Sequence, residues 1–242
     1  MTGRAFLYYD YLKSKEESPR LNIGVEAMTT VEKLRNSTAA ARIREQKALI
    51  VHRKIAAKTI LELGEKLSSA GFTIREFTMD SPHAMGAIRY WDRYQDLLIG
   101  AGTVETPEQV YEAVHAGASY VVTYWNNHKV IEAALKREII VIPGCKTPTE
   151  IREAWHTGAT FIKLYPGGFD NGAELEEFVH GPLSHVQFVV AGGVTRHNAG
   201  QLLKRGAAAV AFGATEFLEN GIESADQIIH EAAVNISLPH AA

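Results

Sequence analysis

Ile139-Ile140-Val141-Ile142-Pro143-Gly144 leads into a helix-favouring stretch, Pro148 to His156, which stops at Gly158. A second apolar run follows, Phe161-Ile162-Lys163-Leu164-Tyr165, closed by Pro166-Gly167-Gly168. Two strand-length runs around one helix read as a strand–helix–strand unit with parallel strands. Alternation along the second run puts Phe161, Lys163 and Tyr165 on one face and Ile162 and Leu164 on the other. The lysine has two readings. It sits near a strand end and snorkels to water along its alkyl stem, or it is held among apolar neighbours. In the second case desolvation lowers its pKa and leaves a neutral amine able to attack a carbonyl. What surrounds the strand decides between them.

The same unit recurs in both directions. Towards the N-terminus lie strands Ala48 to Val51, Phe72 to Thr78, Leu97 to Ala101 and Ser119 to Thr123, with helices Ala56 to Ala70, Pro107 to Ala116 and His128 to Lys136. Towards the C-terminus come helix Ala173 to Val179, strand Val186 to Val190, helix Asn198 to Arg205, strand Ala208 to Phe212 and a helical tail, Ala225 to Val234. Glycines 71, 117, 158 and 206 each end a helix shortly before a strand. Eight strands alternating with helices every ~20–25 residues predict a single (β/α)8 TIM barrel with an N-terminal extension. An open doubly wound sheet is the alternative, but no early strand is followed by G-x-G-x-x-G opening a helix. The expected division is an N-terminal arm and helix, residues 1–46, and a barrel, residues 47–242. A helix is expected from about Val31 to Gln46. The aromatic patch Phe6, Leu7, Tyr8, Tyr9, Tyr11 and Leu12 reads either as a cover for one barrel end or as an arm onto another subunit.

Composition narrows the classes. The 242 residues carry a net charge of -3, with no basic footprint for nucleic acid or an acidic membrane. The single cysteine, Cys145, excludes an intrachain disulfide and fits a reducing compartment, so a cytoplasmic protein is expected. No apolar run reaches the ~18 residues of a membrane span. Asp10, Lys13, Lys15, Glu16 and Glu17 interrupt any signal-peptide core, so none is expected. The ten histidines are scattered, with no close-spaced pair that reads as a metal site.

A barrel of this kind carries its chemistry at the C-terminal ends of its strands. There the sequence places Arg53, Glu76 with Thr78, Gly100-Ala101-Gly102-Thr103, Thr123-Tyr124-Trp125, Pro143-Gly144, Lys163, Gly192-Gly193 and Gly213. A cation, a carboxylate, a lysine and a hydroxyl converging on one mouth favour the reactive reading of Lys163. Glu76 reads as a structural partner of that lysine or as a general acid/base, and one carboxylate can do both. The glycines after the last two strands suit the close approach of an anion such as phosphate.

Gly100-Ala101-Gly102-Thr103-Val104, Ile142-Pro143-Gly144, Thr147-Pro148-Thr149-Glu150, Ile162-Lys163-Leu164-Tyr165-Pro166 and Gly192-Gly193-Val194 stand in the order and spacing of a known family. From about Ala48 to Gly221 the chain resembles the 2-keto-3-deoxy-6-phosphogluconate / 4-hydroxy-2-oxoglutarate aldolases. The resemblance implies a class I, metal-free and cofactor-free barrel aldolase, a homotrimer, that cleaves a 2-keto-4-hydroxy acid to pyruvate and an aldehyde. By it Lys163 matches the Schiff-base lysine and Glu76 the catalytic glutamate. Thr103 matches the threonine near the pyruvate carboxylate, and Arg53 an arginine that helps hold substrate. Pro143, Tyr165, Gly192, Gly193 and Gly213 fall at substrate-binding positions. The chain also departs from the pattern. Asp80 stands where many members have arginine, and Thr123-Tyr124 where Ser-Pro is usual. Ala191-Gly192-Gly193 and Gly213-Ala214 each lack a hydroxyl that the family's phosphate loops carry. A lost hydrogen bond to a charged group is worth ~1.5–3 kcal/mol, so an unphosphorylated aldehyde portion stays open. Two other readings stay open with it: a phosphate-binding barrel epimerase or isomerase with no covalent step, and a diverged member that binds without turnover.

Overall fold

The structure is a computed structural model and describes residues 25–222. Two helices, α1 (Val25–Arg35) and α2 (Thr38–Gln46), lead into β1 (Ala48–His52). Then follow α3 (Ala57–Ser69), β2 (Ile74–Thr78), α4 (Ala84–Trp91), β3 (Leu98–Gly102), α5 (Pro107–His115) and β4 (Tyr120–Val122). Next come α6 (His128–Lys136), β5 (Ile140–Ile142), β6 (Gly144–Cys145), α7 (Pro148–Thr157) and β7 (Ile162–Leu164). The described chain ends with α8 (Ala173–His180), β8 (Phe188–Ala191), α9 (Ala199–Lys204), β9 (Ala209–Gly213) and α10 (Thr215–Asn220).

All pairings are parallel, in the order β5-β4-β3-β2-β1-β9-β8-β7-β6. The two end strands are halves of one stave. Pro143 lacks the N–H that would continue the ladder and divides β5 from β6. The first half pairs with β4, through Tyr120↔Ile140 to Val122↔Ile142. The second half pairs with β7, through Gly144↔Lys163 and Cys145↔Leu164. The carbonyls of Val141, Pro143 and Cys145 accept from the amides of Thr160, Lys163 and Tyr165 at 3.0, 2.8 and 3.0 Å. Nine strands therefore make eight staves, and the sheet closes into the (β/α)8 barrel that the alternating pattern predicts.

Period-2 alternation sorts every stave into two layers. Leu49, Ile74, Leu98, Tyr120, Ile140, Phe161, Val189 and Ala209 pack together inside the barrel. Ile50, Phe77, Ile99, Val121, Val141, Ile162, Leu164, Val190 and Val210 face the helices. Ala40 and Ile43 of α2 are fully buried and join the inner cluster, so α2 plugs the floor. The helix expected from Val31 to Gln46 is in fact two. Ser37 breaks it and caps α2, its hydroxyl accepting from the Ala40 amide at 3.2 Å, since serine competes with helix interiors and suits their starts. Helix α1 is tied to the end of α7. Arg35 donates to the carbonyls of Trp155 and Ala159 at 3.0 and 2.9 Å and stacks 3.5 Å over the Trp155 ring. Gly158, at φ 116°, ends α7 and leaves the space that Leu135 and Val31 fill.

Helix α4 has no delimited counterpart in the sequence pattern, and the fifth stave runs on past Pro143, where the pattern predicts its end. The last described helix is α10. The aromatic patch from Phe6 to Leu12 and the expected tail helix, Ala225 to Val234, lie outside the described residues. Among the described residues, no helix is long and apolar enough to cross a membrane.

Candidate active site

Lys163 and Glu76 face each other across the lumen. Counting along the barrel, β7 and β2 lie four staves apart in either direction, which places them diametrically opposite. Both side chains point inward, because they share faces with Phe161 and Ile74 of the inner cluster. Both are buried, with 7% and 2% of their surface exposed. Apolar side chains below and the narrow lumen around them strip water from both groups. Desolvation therefore raises the Glu76 pKa, opposed by the charges of Lys163 and Arg53. Desolvation likewise lowers the Lys163 pKa, with Glu76 opposing and Arg53 reinforcing. Both shifts run towards the uncharged forms, an amine with a free lone pair and a carboxyl group able to give and take a proton.

The rest of the mouth is assembled from loops. Arg53, just past β1, donates to the Thr103 hydroxyl at 2.7 Å. Thr103 follows β3 and adopts a left-handed backbone, φ 54°. Asp80 lies 3.9 Å from the Arg53 guanidinium and 3.8 Å from the Lys54 ammonium, so the loop after β2 carries a countercharge. The Tyr165 ring centroid is 4.9 Å from the Lys163 ammonium nitrogen, close enough for its π-face to meet the cation. Pro143 is buried behind Lys163, its carbonyl holding the Lys163 amide.

The two glycine loops are shaped by aromatic rings. A Cβ at Gly192 would come within 2.9 Å of the Tyr165 ring, and one at Gly193 within 2.7 Å of the Phe169 ring. Both glycines have positive φ, 78° and 79°. Asn198 joins this loop to the one after β7, donating to the carbonyls of Gly168 and Gly193 at 3.0 and 2.8 Å. Gly213 closes β9 and is exposed, with the Thr215 hydroxyl beside it. Thr215 thus supplies one hydroxyl near the position where Ala214 lacks it. On the opposite rim Tyr124 and Trp125 are 42% and 47% exposed, and Tyr124 donates to the Glu105 carboxylate at 2.8 Å.

The nine residues that the resemblance marks as site positions therefore lie at the C-terminal mouth or in its wall. Lys163 and Glu76 form the centre, Arg53 and Thr103 a bonded pair, and the glycines one rim. The sequence reading missed Asn198, which looks like any polar loop residue until the two loops meet. It also missed Tyr120, which lies on the inner face one stave beyond Gly100. Among the described residues no group of three or more histidine, cysteine or acidic side chains is placed to hold a metal ion.

A family model described as KDPG and KHG aldolase matches residues 39–230. A 2-dehydro-3-deoxy-phosphogluconate aldolase of Haemophilus influenzae is 32% identical over 158 residues, 65% of this chain and 74% of that protein. An enzyme of the same name from Pseudomonas aeruginosa is 32% identical over 145 residues, 60% of this chain and 66% of that protein. Among solved structures, the KDPG aldolase of Legionella pneumophila, with pyruvate captured at low pH as a covalent carbinolamine intermediate, superposes with a TM-score of 0.68. It is 27% identical and covers 84% of this chain and 99% of its own.

Proposed function

The chain belongs to the KDPG and KHG aldolase family, and from that premise we propose that it is a class I lyase acting through an imine on Lys163. The substrate is a 2-keto-4-hydroxy acid resembling 2-keto-3-deoxy-6-phosphogluconate or 4-hydroxy-2-oxoglutarate, and the products are pyruvate and an aldehyde. One observation carries the reading: a buried lysine stands opposite a buried carboxyl group across the lumen, where desolvation pushes both towards their uncharged forms.

The neutral Lys163 amine attacks the C2 carbonyl of the keto acid to give a carbinolamine, which loses water to form a protonated imine. The imine draws electrons from the C3–C4 bond. As that bond breaks, Glu76 takes the C4 hydroxyl proton, through a water, and the aldehyde departs. The remaining enamine is protonated at C3, and hydrolysis of the imine releases pyruvate and the amine. Arg53 and Thr103 hold the substrate carboxylate as a joined pair, and their mutual hydrogen bond supports that role. Pro143 and Tyr165 wall the carbon chain, while Gly192, Gly193 and Gly213 line the aldehyde end. Capture of pyruvate as a carbinolamine in the Legionella neighbour supports the same chemistry here. In this reading residues 47–242 carry the aldolase barrel domain and 1–46 the arm before it, with the pair α1 and α2 in place of one helix. The protein works as a cytoplasmic homotrimer without metal or cofactor.

The test is incubation with pyruvate and borohydride, followed by intact mass and peptide mapping. The expected result is reduced pyruvate on Lys163. Because Lys163 titrates below the ordinary 10.5, the trapping rate should rise with pH and level off below that value. No adduct on the folded protein would sink the imine mechanism.

A further inference from the structure

Two polar groups on the lumen side of the barrel form no hydrogen bond with another described residue. No donor among the described residues forms a hydrogen bond with the Glu76 carboxyl group. The Tyr120 hydroxyl is fully buried and has no partner there either. Glu76 pairs with Gly100, and Gly100 with Tyr120, so the three sit at one level of the barrel on consecutive staves. Gly100 makes their approach possible. A Cβ there would lie 2.3 Å from the Cζ atom of Tyr120, so the phenol ring lies across the glycine with its hydroxyl reaching towards β2. Gly102 does the same one layer higher, where a Cβ would lie 1.8 Å from the Glu76 Oε1 atom. Two residues along a strand span about 6–7 Å, close to the reach of two hydrogen bonds through one water.

We propose that Tyr120 is a positioning residue for Glu76, its buried hydroxyl donating through one internal water to the Glu76 carboxylate across the gap that Gly100 leaves. The inference rests on the role given to Glu76 above. A lumen with an orphan donor below and a carboxylate above offers a water at least two of the polar partners that buried water requires. The charge of Glu76 in turn adds to the desolvation that raises the Tyr120 pKa, so the phenol stays protonated and remains a donor. The charged groups facing Glu76 are Lys163 from β7 and Arg53 from the end of β1. Arg53 itself faces Asp80. From β3 only Gly100 and Gly102 reach it, and neither titrates.

A hydrogen bond donated to a carboxylate favours its ionised form, so removing the donor raises the carboxyl pKa. Tyr120→Phe keeps the ring and removes only the hydroxyl. The titration of Glu76 is followed by carbon-13 NMR of glutamate-labelled protein, with Glu76→Gln assigning the signal. In Tyr120→Phe the midpoint should move up by about 0.5–1 pH unit, and the Glu76 limb of the kcat/KM profile should move with it. An unchanged midpoint overturns the proposal. So does a Tyr120→Phe variant with a higher Tm than the parent, because the hydroxyl would then have had no partner to lose. The NMR midpoint does not depend on turnover. A parent protein that forms no pyruvate adduct therefore refutes the aldolase reading, while the midpoint still decides the role of Tyr120.

Discussion

Among the described residues the barrel buries one arginine and one lysine, and only the lysine faces the mouth. Lys163 points into the lumen. Arg75 points outward from β2, fully buried beneath α3 and α4. There it donates to the Gly64 carbonyl and the Ser68 hydroxyl, both at 2.5 Å, and lies 4.3 Å from the centre of the Trp91 ring. Its Nε and one terminal nitrogen have no partner among the described residues. Burial depresses its pKa to about 10, opposed by the charge of Asp96, yet at neutral pH the guanidinium keeps its proton. Lys163 is lowered by the same cause, but it is an amine, it opens on the mouth and it faces a carboxyl group. Burial alone therefore does not mark a reactive group. A proton that can leave, a partner to receive it and a path for substrate do.

Replacing the inner cation should have the largest effect. Lys163→Met removes the proposed nucleophile, and turnover of any keto acid the parent cleaves should fall by at least about 10⁴-fold. No pyruvate adduct should form. The melting temperature should hold or rise, because a desolvated amine is exchanged for an apolar chain of similar length. Near-parental cleavage by this variant would show that the two cations do not differ in function.

Two glycines sharpen the comparison, because each keeps space for one side of the sheet. An alanine at Gly102 would strike the Glu76 carboxyl oxygen, and one at Gly64 would meet the Trp91 ring at 2.2 Å. Gly102→Ala should displace Glu76, the proposed general acid/base, and lower kcat by roughly 10²-fold. Gly64→Ala should leave kcat within about twofold but cost about 1–3 kcal/mol of unfolding free energy through overpacking. Steady-state kinetics and urea melts on both variants would show whether the effects separate by face. If Gly64→Ala lost as much activity as Gly102→Ala, the two layers would be coupled.

The sequence made the inner cation legible and left the outer one hidden. Alternation in Phe161 to Tyr165 and in Ile74 to Thr78 is a local property, so the shared face of Lys163 and Glu76 follows once the strands and a closed barrel are recognised. The repeated strand–helix units and the family resemblance supplied the closure. Ser37 is also readable as a cap, but the alanine run from Ala39 to Ala41 just after it favours one continuous helix. Pro143 looked like a strand end because a missing N–H usually is one. Its stave continues because the carbonyls on both sides of the break still find β7. Tyr120 could not be found in this way. Its reach over Gly100 depends on the β3–β4 register, which is set by contacts distant in sequence. Arg75 lies in an apolar strand where an arginine is expected to reach water, and only the packing of α3 and α4 shows that it does not.

The outer cation provides the last and smallest test. An arginine whose folded pKa lies near 10, below its ordinary value, opposes folding wherever it is charged. That penalty is fully present below pH 10 and is relieved as the pH rises above 10 towards the ordinary arginine value. Arg75→Met keeps a long chain against Trp91 and removes the charge. The Gly64 carbonyl sits within α3, and Ser68 is only half-buried, so neither group loses its sole source of hydrogen bonds. Apolar replacements of buried charges are commonly neutral or stabilising. The variant should gain about 1–2 kcal/mol in unfolding free energy at pH 7, and its advantage should shrink above pH 10. Its kcat and its pyruvate adduct should match those of the parent. A loss of 3 kcal/mol or more would instead mean that the Arg75 contacts to Gly64 and Ser68 hold α3 on the barrel. Arg75 would then be a structural fastener, in contrast to the reagent role proposed for Lys163.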